Sequence, residues 1–338
     1  MKRKALRLGC LLAMILVLLD GSTAQEGIRQ GLNLCVKSVI PALLPFHLLS
    51  SIFTDILWGK PSLLLETLGR LFHMPKGSEC LLLPAFLGGF PAGAAAVGDA
   101  WKAGGLKKED AERLLGWCNQ AGPGFLFGIA ANTLPDPLAA WKLWGLLILG
   151  ALAAAALIPV GKSAAAPRGK EDRQDFLSQT VLTMGKICVT VMAFRVMICY
   201  IDVYLNLHGM KKVLVGGLLE LTNGCCDLPL VSAPYRMIVA ALLLSLGGLC
   251  VLFQTRSVTQ GLSLKWYLVG KGIQAFVCLL GTWKPRMLIF ALSIVLFLKL
   301  WVAFSEKRLY NKKKFNSGGS YAFPKENRAG LRLLRARR

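Results

Sequence analysis

Apolar runs of about twenty residues recur along this chain, and the run from Cys80 to Ala103 is interrupted in its middle by LGGFPAGAA, Leu87–Ala95. A helix in lipid must pair every backbone N–H and C=O within itself, because no water is present to do so. Gly88, Gly89, Pro91 and Gly93 all weaken that pairing at one place. Such a break is tolerated at membrane depth only where protein covers it or where it lines a cavity. A second interruption, Gly216–Pro229 (GGLLELTNGCCDLP), lies in the other half of the chain and carries a carboxylate, Glu220. Interrupted segments in corresponding halves point to a transporter-like site near the bilayer midplane.

Composition places the chain in the same class. It is 54% hydrophobic and 17% charged, against about 25% charged in soluble domains. The expected fold is all-α, a polytopic integral membrane protein; a β-barrel would show alternating rather than continuous apolar runs. The formal charge of +22 invites a nucleic-acid reading, but much of the excess lies at Lys2–Arg7, at Lys307–Arg338 and in short loops. That is the positive-inside pattern, worth about 1 kcal/mol per basic residue beside an anionic inner leaflet. The lipid bilayer is therefore the expected partner, and nucleic acid is not. The ten cysteines include no CxxC pair and mostly stand singly in apolar runs, as small buried residues do. Three scattered histidines make no metal site, and nothing implies a cofactor.

In chain order, MKRK followed by Leu6–Leu19 resembles a signal peptide, here expected to be retained as an anchor; Gly21-Ser-Thr-Ala-Gln is a weak cleavage site. Leu32–Leu57 is long enough to span, kinked by Pro41 and Pro45. Ser62–Phe72 fits an interfacial helix. Leu106–Trp117 is a polar-faced helix with Glu109 and Arg113 at i,i+4; it runs into the breaker Cys118-Asn-Gln-Ala-Gly-Pro-Gly. Further spans are expected at Trp141–Val160, Phe176–Leu205 (interrupted by Lys186 and Arg195), Tyr235–Phe253, Trp266–Leu280 and Met287–Phe304. About eight membrane segments result. They fall into a first half, 1–160, with interrupted helices, and a second half, 176–304, joined by a polar linker, 161–175. A basic tail, 305–338, is expected to be disordered at the membrane surface. The protein is expected in the cell membrane with both termini cytoplasmic.

Glu220 is the strongest site candidate, because a carboxylate at membrane depth costs at least about 2.5–3.5 kcal/mol unless paired or protonated. Thr222 and Asn223 add a hydroxyl and an amide, and Gly224 lets the helix unwind. The alternative is a structural ion pair with Arg195 or Lys186. In the first half Asn119, Gln120, Gly122 and Pro123 offer amides and freed backbone groups for a polar ligand or cation, unless they form an interfacial loop. Gln254 is a further polar group, and Gly247-Gly248 before it reads mainly as a place of close helix packing. No nucleophile–base arrangement, Walker loop or HExxH occurs, so no enzyme is expected.

GGFPAGA (Gly88–Ala94), DAERLLGWCNQAGPGFLFG (Asp110–Gly128), GGLLELTNG (Gly216–Gly224) and LLLSLGGLCVLFQ (Leu242–Gln254) occur in that order. Together with PALLPFHLLSS (Pro41–Ser51), they resemble the sporulation integral membrane protein YlbJ family, within the nucleoside-recognition or Gate-domain group. The resemblance covers about Pro41 to Leu280 and departs at Arg195 and at CCDLPL. It implies a multi-pass membrane protein of endospore formation, needed for spore cortex assembly, with a transport-like fold and no fixed substrate. The leading expectation is transport or sensing of a small polar solute or ion. The alternative is a non-transporting scaffold that recruits other sporulation membrane proteins.

Overall fold

Between Gly21 and Leu57 the chain runs as one helix in three parts: α2 (Gly21–Leu34), a π-helical turn at Cys35–Val39, and α3 (Ile40–Leu57). Pro41 falls in the first turn of α3 and Pro45 inside it, directly after the widened turn. Prolines and π turns are the usual origins of such a kink. The structure, a computed structural model, describes residues 2–60, 62–158 and 176–286. The linker 161–175, the span Met287–Phe304 and the tail 305–338 lie outside the described residues.

Helix α1 (Lys2–Leu19) precedes α2, and Asp20 between them caps α2 by accepting a hydrogen bond from the Thr23 N–H at 3.1 Å. The short amphipathic α4 (Leu63–Leu71) leaves Leu63 and Leu64 largely uncovered, as an interfacial helix would. Two long helices of the second half then pack on the first. α9 (Phe176–Leu205) lies along α2, and α14 (Lys265–Trp283) lies along α8 (Pro137–Leu157). The two halves of the sequence thus interlock within one unit that ends at Pro285.

Close approach of α2 to α9 comes from Gly27 and Gly31, one turn apart. A β-carbon on Gly27 would stand 2.7 Å from Val196 Cα, and one on Gly31 would stand 2.8 Å from Met192 Cα. This is the small-xxx-small contact by which helices associate in lipid. α9 is continuous for 30 residues, which corrects the expected interruption at Lys186 and Arg195. Lys186 is exposed, and Arg195 finds hydrogen-bond partners sideways, so neither requires the backbone to open.

The remaining helices are short: α5 (Ala92–Lys102), α6 (Lys108–Leu114), α7 (Pro123–Gly128), α10 (Gly209–Leu219), α11 (Leu221–Cys226), α12 (Ala233–Leu246) and α13 (Gly248–Val258). On α6 the ion pair is Arg113 with Asp110 at 3.8 Å rather than with Glu109. Among the described residues four helical stretches are long and apolar enough to cross a membrane, at Gly21–Leu57, Leu138–Leu157, Thr180–Leu205 and, taking α12 and α13 together, Ala233–Val258. Of the expected eight, Met287–Phe304 lies outside the described residues, and among the described ones several apolar runs are cut into pieces too short to span. Large apolar side chains such as Leu182, Val189, Phe253 and Phe276 stand more than half exposed, which suits lipid rather than water.

Candidate functional site: a polar core where helices break

The first break begins with a π turn at Pro84–Gly88, turns at Gly89 (φ 74°), passes a cis Phe90–Pro91 peptide and restarts as α5. Gly88, Gly89, Phe90, Pro91 and Gly93 are all buried in protein. Gly93 lies so close to the Cys118 carbonyl oxygen that a β-carbon there would overlap it. Gly122, next to Pro123, meets Gly89 directly: a β-carbon on Gly122 would stand 2.7 Å from the Gly89 nitrogen. The Asn119–Gly122 loop is therefore buried inside the protein.

At the second break α10 ends at Leu219, Glu220 is extended, and α11 restarts. Glu220 is 2% exposed. One carboxylate oxygen accepts the Thr222 N–H at 3.0 Å and the other accepts the Asn223 N–H at 2.7 Å. Helix N-terminal N–H groups offset part of the cost of burying that charge. Gly224 packs onto Gly217 so closely that a β-carbon would overlap it.

A third break separates α12 from α13 at Gly247 and Gly248, whose φ angles of 80° and 75° favour glycine. This doublet also serves close packing, as its sequence suggested. A β-carbon on Gly248 would stand 2.9 Å from the Gly217 carbonyl oxygen, and one on Gly247 would stand 3.3 Å from the Phe90 ring. The three breaks touch one another.

Between them is a cavity of about 20 Å³, lined by Phe90, Glu220, Thr222, Gln254 and apolar residues including Leu43 and Val251. That is room for about one water molecule. Glu220 and the first break thus share one wall. Toward one end of the molecule a larger open pocket of about 490 Å³ is lined by Ser22, Glu26, Gln30, Arg195, Asp202 and Lys212. Lys212 and Asp202 pair there at 3.2 Å. Arg195 connects pocket to cavity: it donates to Gln30 Oε1 and to Asn223 Oδ1, and Asn223 in turn donates its backbone N–H to Glu220. The direct Glu220 pair with Arg195 or Lys186 is therefore not formed among the described residues. Asn223 stands between Glu220 and Arg195.

Lys271, within α14, is a further polar-core residue, absent from the candidates named from sequence. It is 4% exposed; its ammonium donates to the Asn119 carbonyl oxygen at 2.6 Å and to Gln274 Oε1 at 3.1 Å. It also lies 4.6 Å from the centre of the Phe90 ring. Asn119 donates its side-chain amide to Thr255 at 2.8 Å, and Gln120 donates to the Trp117 carbonyl. The rule that singled out Glu220, an ionisable residue inside an apolar span, applies equally to Lys271 in WYLVGKGIQ. Of the groups expected to receive a cation, the Asn119 backbone carbonyl is taken by the Lys271 ammonium. Among the described residues no cluster of three or more His, Cys, Asp or Glu could hold a metal ion.

These features define an all-helical membrane protein whose buried polar groups gather where its helices break. Comparison with known protein families, with curated proteins and with solved structures finds no match, so its particular role is argued from the site.

Proposed function

We propose that the chain transports or senses a small polar solute or ion through the Glu220 cavity. On its resemblance to the YlbJ family, it does so in the cell membrane during endospore formation, at the cortex stage. One observation carries the reading: an unbroken polar chain, Arg195–Asn223–Glu220, leads from an open pocket to a cavity built by three facing helix breaks. A packing role alone would not need a carboxylate at that depth, where an uncharged cap would serve at lower cost. A cavity that holds about one water describes a closed state, which opens by movement of one break against another.

Orientation follows from charge. The open pocket lies at the Gly21 end of the α2–α3 run. At the other end Trp58 packs near Gly105, among Lys102, Lys107 and Lys108. By the positive-inside rule the basic end is cytoplasmic and the pocket faces outward. Both termini are placed in the cytoplasm on the same rule. The reading is of binding and passage, not catalysis.

The test is charge movement by full-length protein in liposomes on steps of sodium, potassium or proton concentration, with Glu220→Gln as the comparison. Current in wild type and none in the variant, at equal abundance, is the expected result. Heat-resistant spore counts in an endospore-forming host should fall in parallel. Unchanged spore yield with Glu220→Gln at normal abundance would overturn the reading and favour the scaffold alternative.

A further inference from the structure

The polar groups around Lys271 are not balanced. An ammonium has three N–H donors, and two of them are taken by Asn119 O and Gln274 Oε1. The third has only the rings of Phe90 and Tyr267, with centres 4.6 and 5.7 Å away. No carboxylate among the described residues lies within ion-pair distance of Lys271. On the segments that meet at Lys271, the Gln274 Nε2 donor, the Tyr267 hydroxyl and the acceptors Asn119 Oδ1 and, on the next residue, Gln120 Oε1 are buried without a matched hydrogen bond. Asn119, Gln120, Lys271 and Gln274 are each at most 4% exposed. Orphaned polar groups at such burial are rare in native proteins, and each calls for an occupant.

We infer that Lys271, Gln274, Asn119 and Gln120 form a binding site for a small carboxylate with a hydroxyl or amino group on the adjacent carbon. The unmatched ammonium and the free Gln274 N–H call for anionic oxygen. The two free amide oxygens call for a donor next to it. A bare anion leaves those oxygens orphaned, and a simple cation is repelled by Lys271. The ring of Phe90 covers the ammonium and also lines the Glu220 cavity, so the site is uncovered when the helix breaks part and the ring moves off Lys271. This site goes beyond the proposed function and would bind its ligand whether or not any flux is observed.

The experiment is titration calorimetry on the purified full-length protein in detergent, with lactate, alanine, acetate, methylammonium and chloride as separate probes. Lactate or alanine should bind, and the stronger of the two identifies the donor as hydroxyl or amine. Acetate should bind about tenfold more weakly, since it leaves buried acceptors unpaired. Lys271→Met should abolish carboxylate binding. Gln120→Met, folded by size exclusion, should bring the ratio of lactate or alanine to acetate affinity toward one, which misfolding cannot mimic. Chloride or acetate binding as tightly as the substituted acids would overturn the inference. So would methylammonium binding, no binding by any acid, or unchanged binding in folded Lys271→Met.

Discussion

The α2–α9 contact and the core of helix breaks both depend on glycine, and they use it in opposite ways. Gly27 and Gly31 sit within an unbroken helix and remove side chains so that two backbones can touch. Gly89, Gly247 and Gly248 sit where helices stop, in backbone conformations that other residues adopt only with strain. The first region loses no hydrogen bond and gains packing. The second frees backbone polar groups and must bury them among protein partners, so polar chemistry collects there. Glycine frequency alone does not distinguish the two uses; what each missing β-carbon would meet does.

Substitutions can break this contrast. The largest effect is expected for Gly93→Ala and Gly270→Ala, whose β-carbons would overlap the carbonyl oxygens of Cys118 and Gly116. A loss of about 3 kcal/mol or more should remove the monodisperse peak in size exclusion. Gly27→Ala with Gly31→Ala should cost less, about 1–3 kcal/mol, because helix α2 can shift outward along α9. Thermal denaturation in detergent would measure it, and an unchanged midpoint would mean the contact is not close. Glu220→Gln keeps one acceptor for the α11 cap and should lower stability by only about 1 kcal/mol while abolishing the proposed current. The smallest effect belongs to Gly145→Ala and Gly185→Ala, exposed on helices with nothing near the added methyl. There the helix should be unchanged or gain up to about 1 kcal/mol. A marked loss at either would show that an uncharted partner covers that face.

Sequence alone revealed the breaks at Gly88–Pro91 and Gly216–Gly224, because glycine and proline signal backbone trouble locally. It also revealed Glu220, because a charge in an apolar run is conspicuous. It could not reveal what those residues touch. The Arg195 side chain, read as a helix interruption or a partner of Glu220, bonds Gln30 and Asn223, 165 and 28 residues away. The Gly27–Gly31 spacing was hidden by the polar residues between the two glycines, GIRQG. From sequence, Gly93 is one of four residues that weaken backbone pairing at the first break. Its contact with Cys118 makes folding the first casualty of replacing it. Lys271 is as conspicuous in WYLVGKGIQ as Glu220 is in its own run, but its partner Asn119 lies 152 residues earlier, and no local pattern joins the two.

Phe90 touches Gly247, lines the Glu220 cavity and roofs the Lys271 ammonium. One ring cannot adopt two positions at once. Displacing it from Lys271 therefore also moves a wall of the Glu220 cavity, so that a ligand bound at one place would, by thermodynamic reciprocity, change the affinity of the other by the same factor as the reverse.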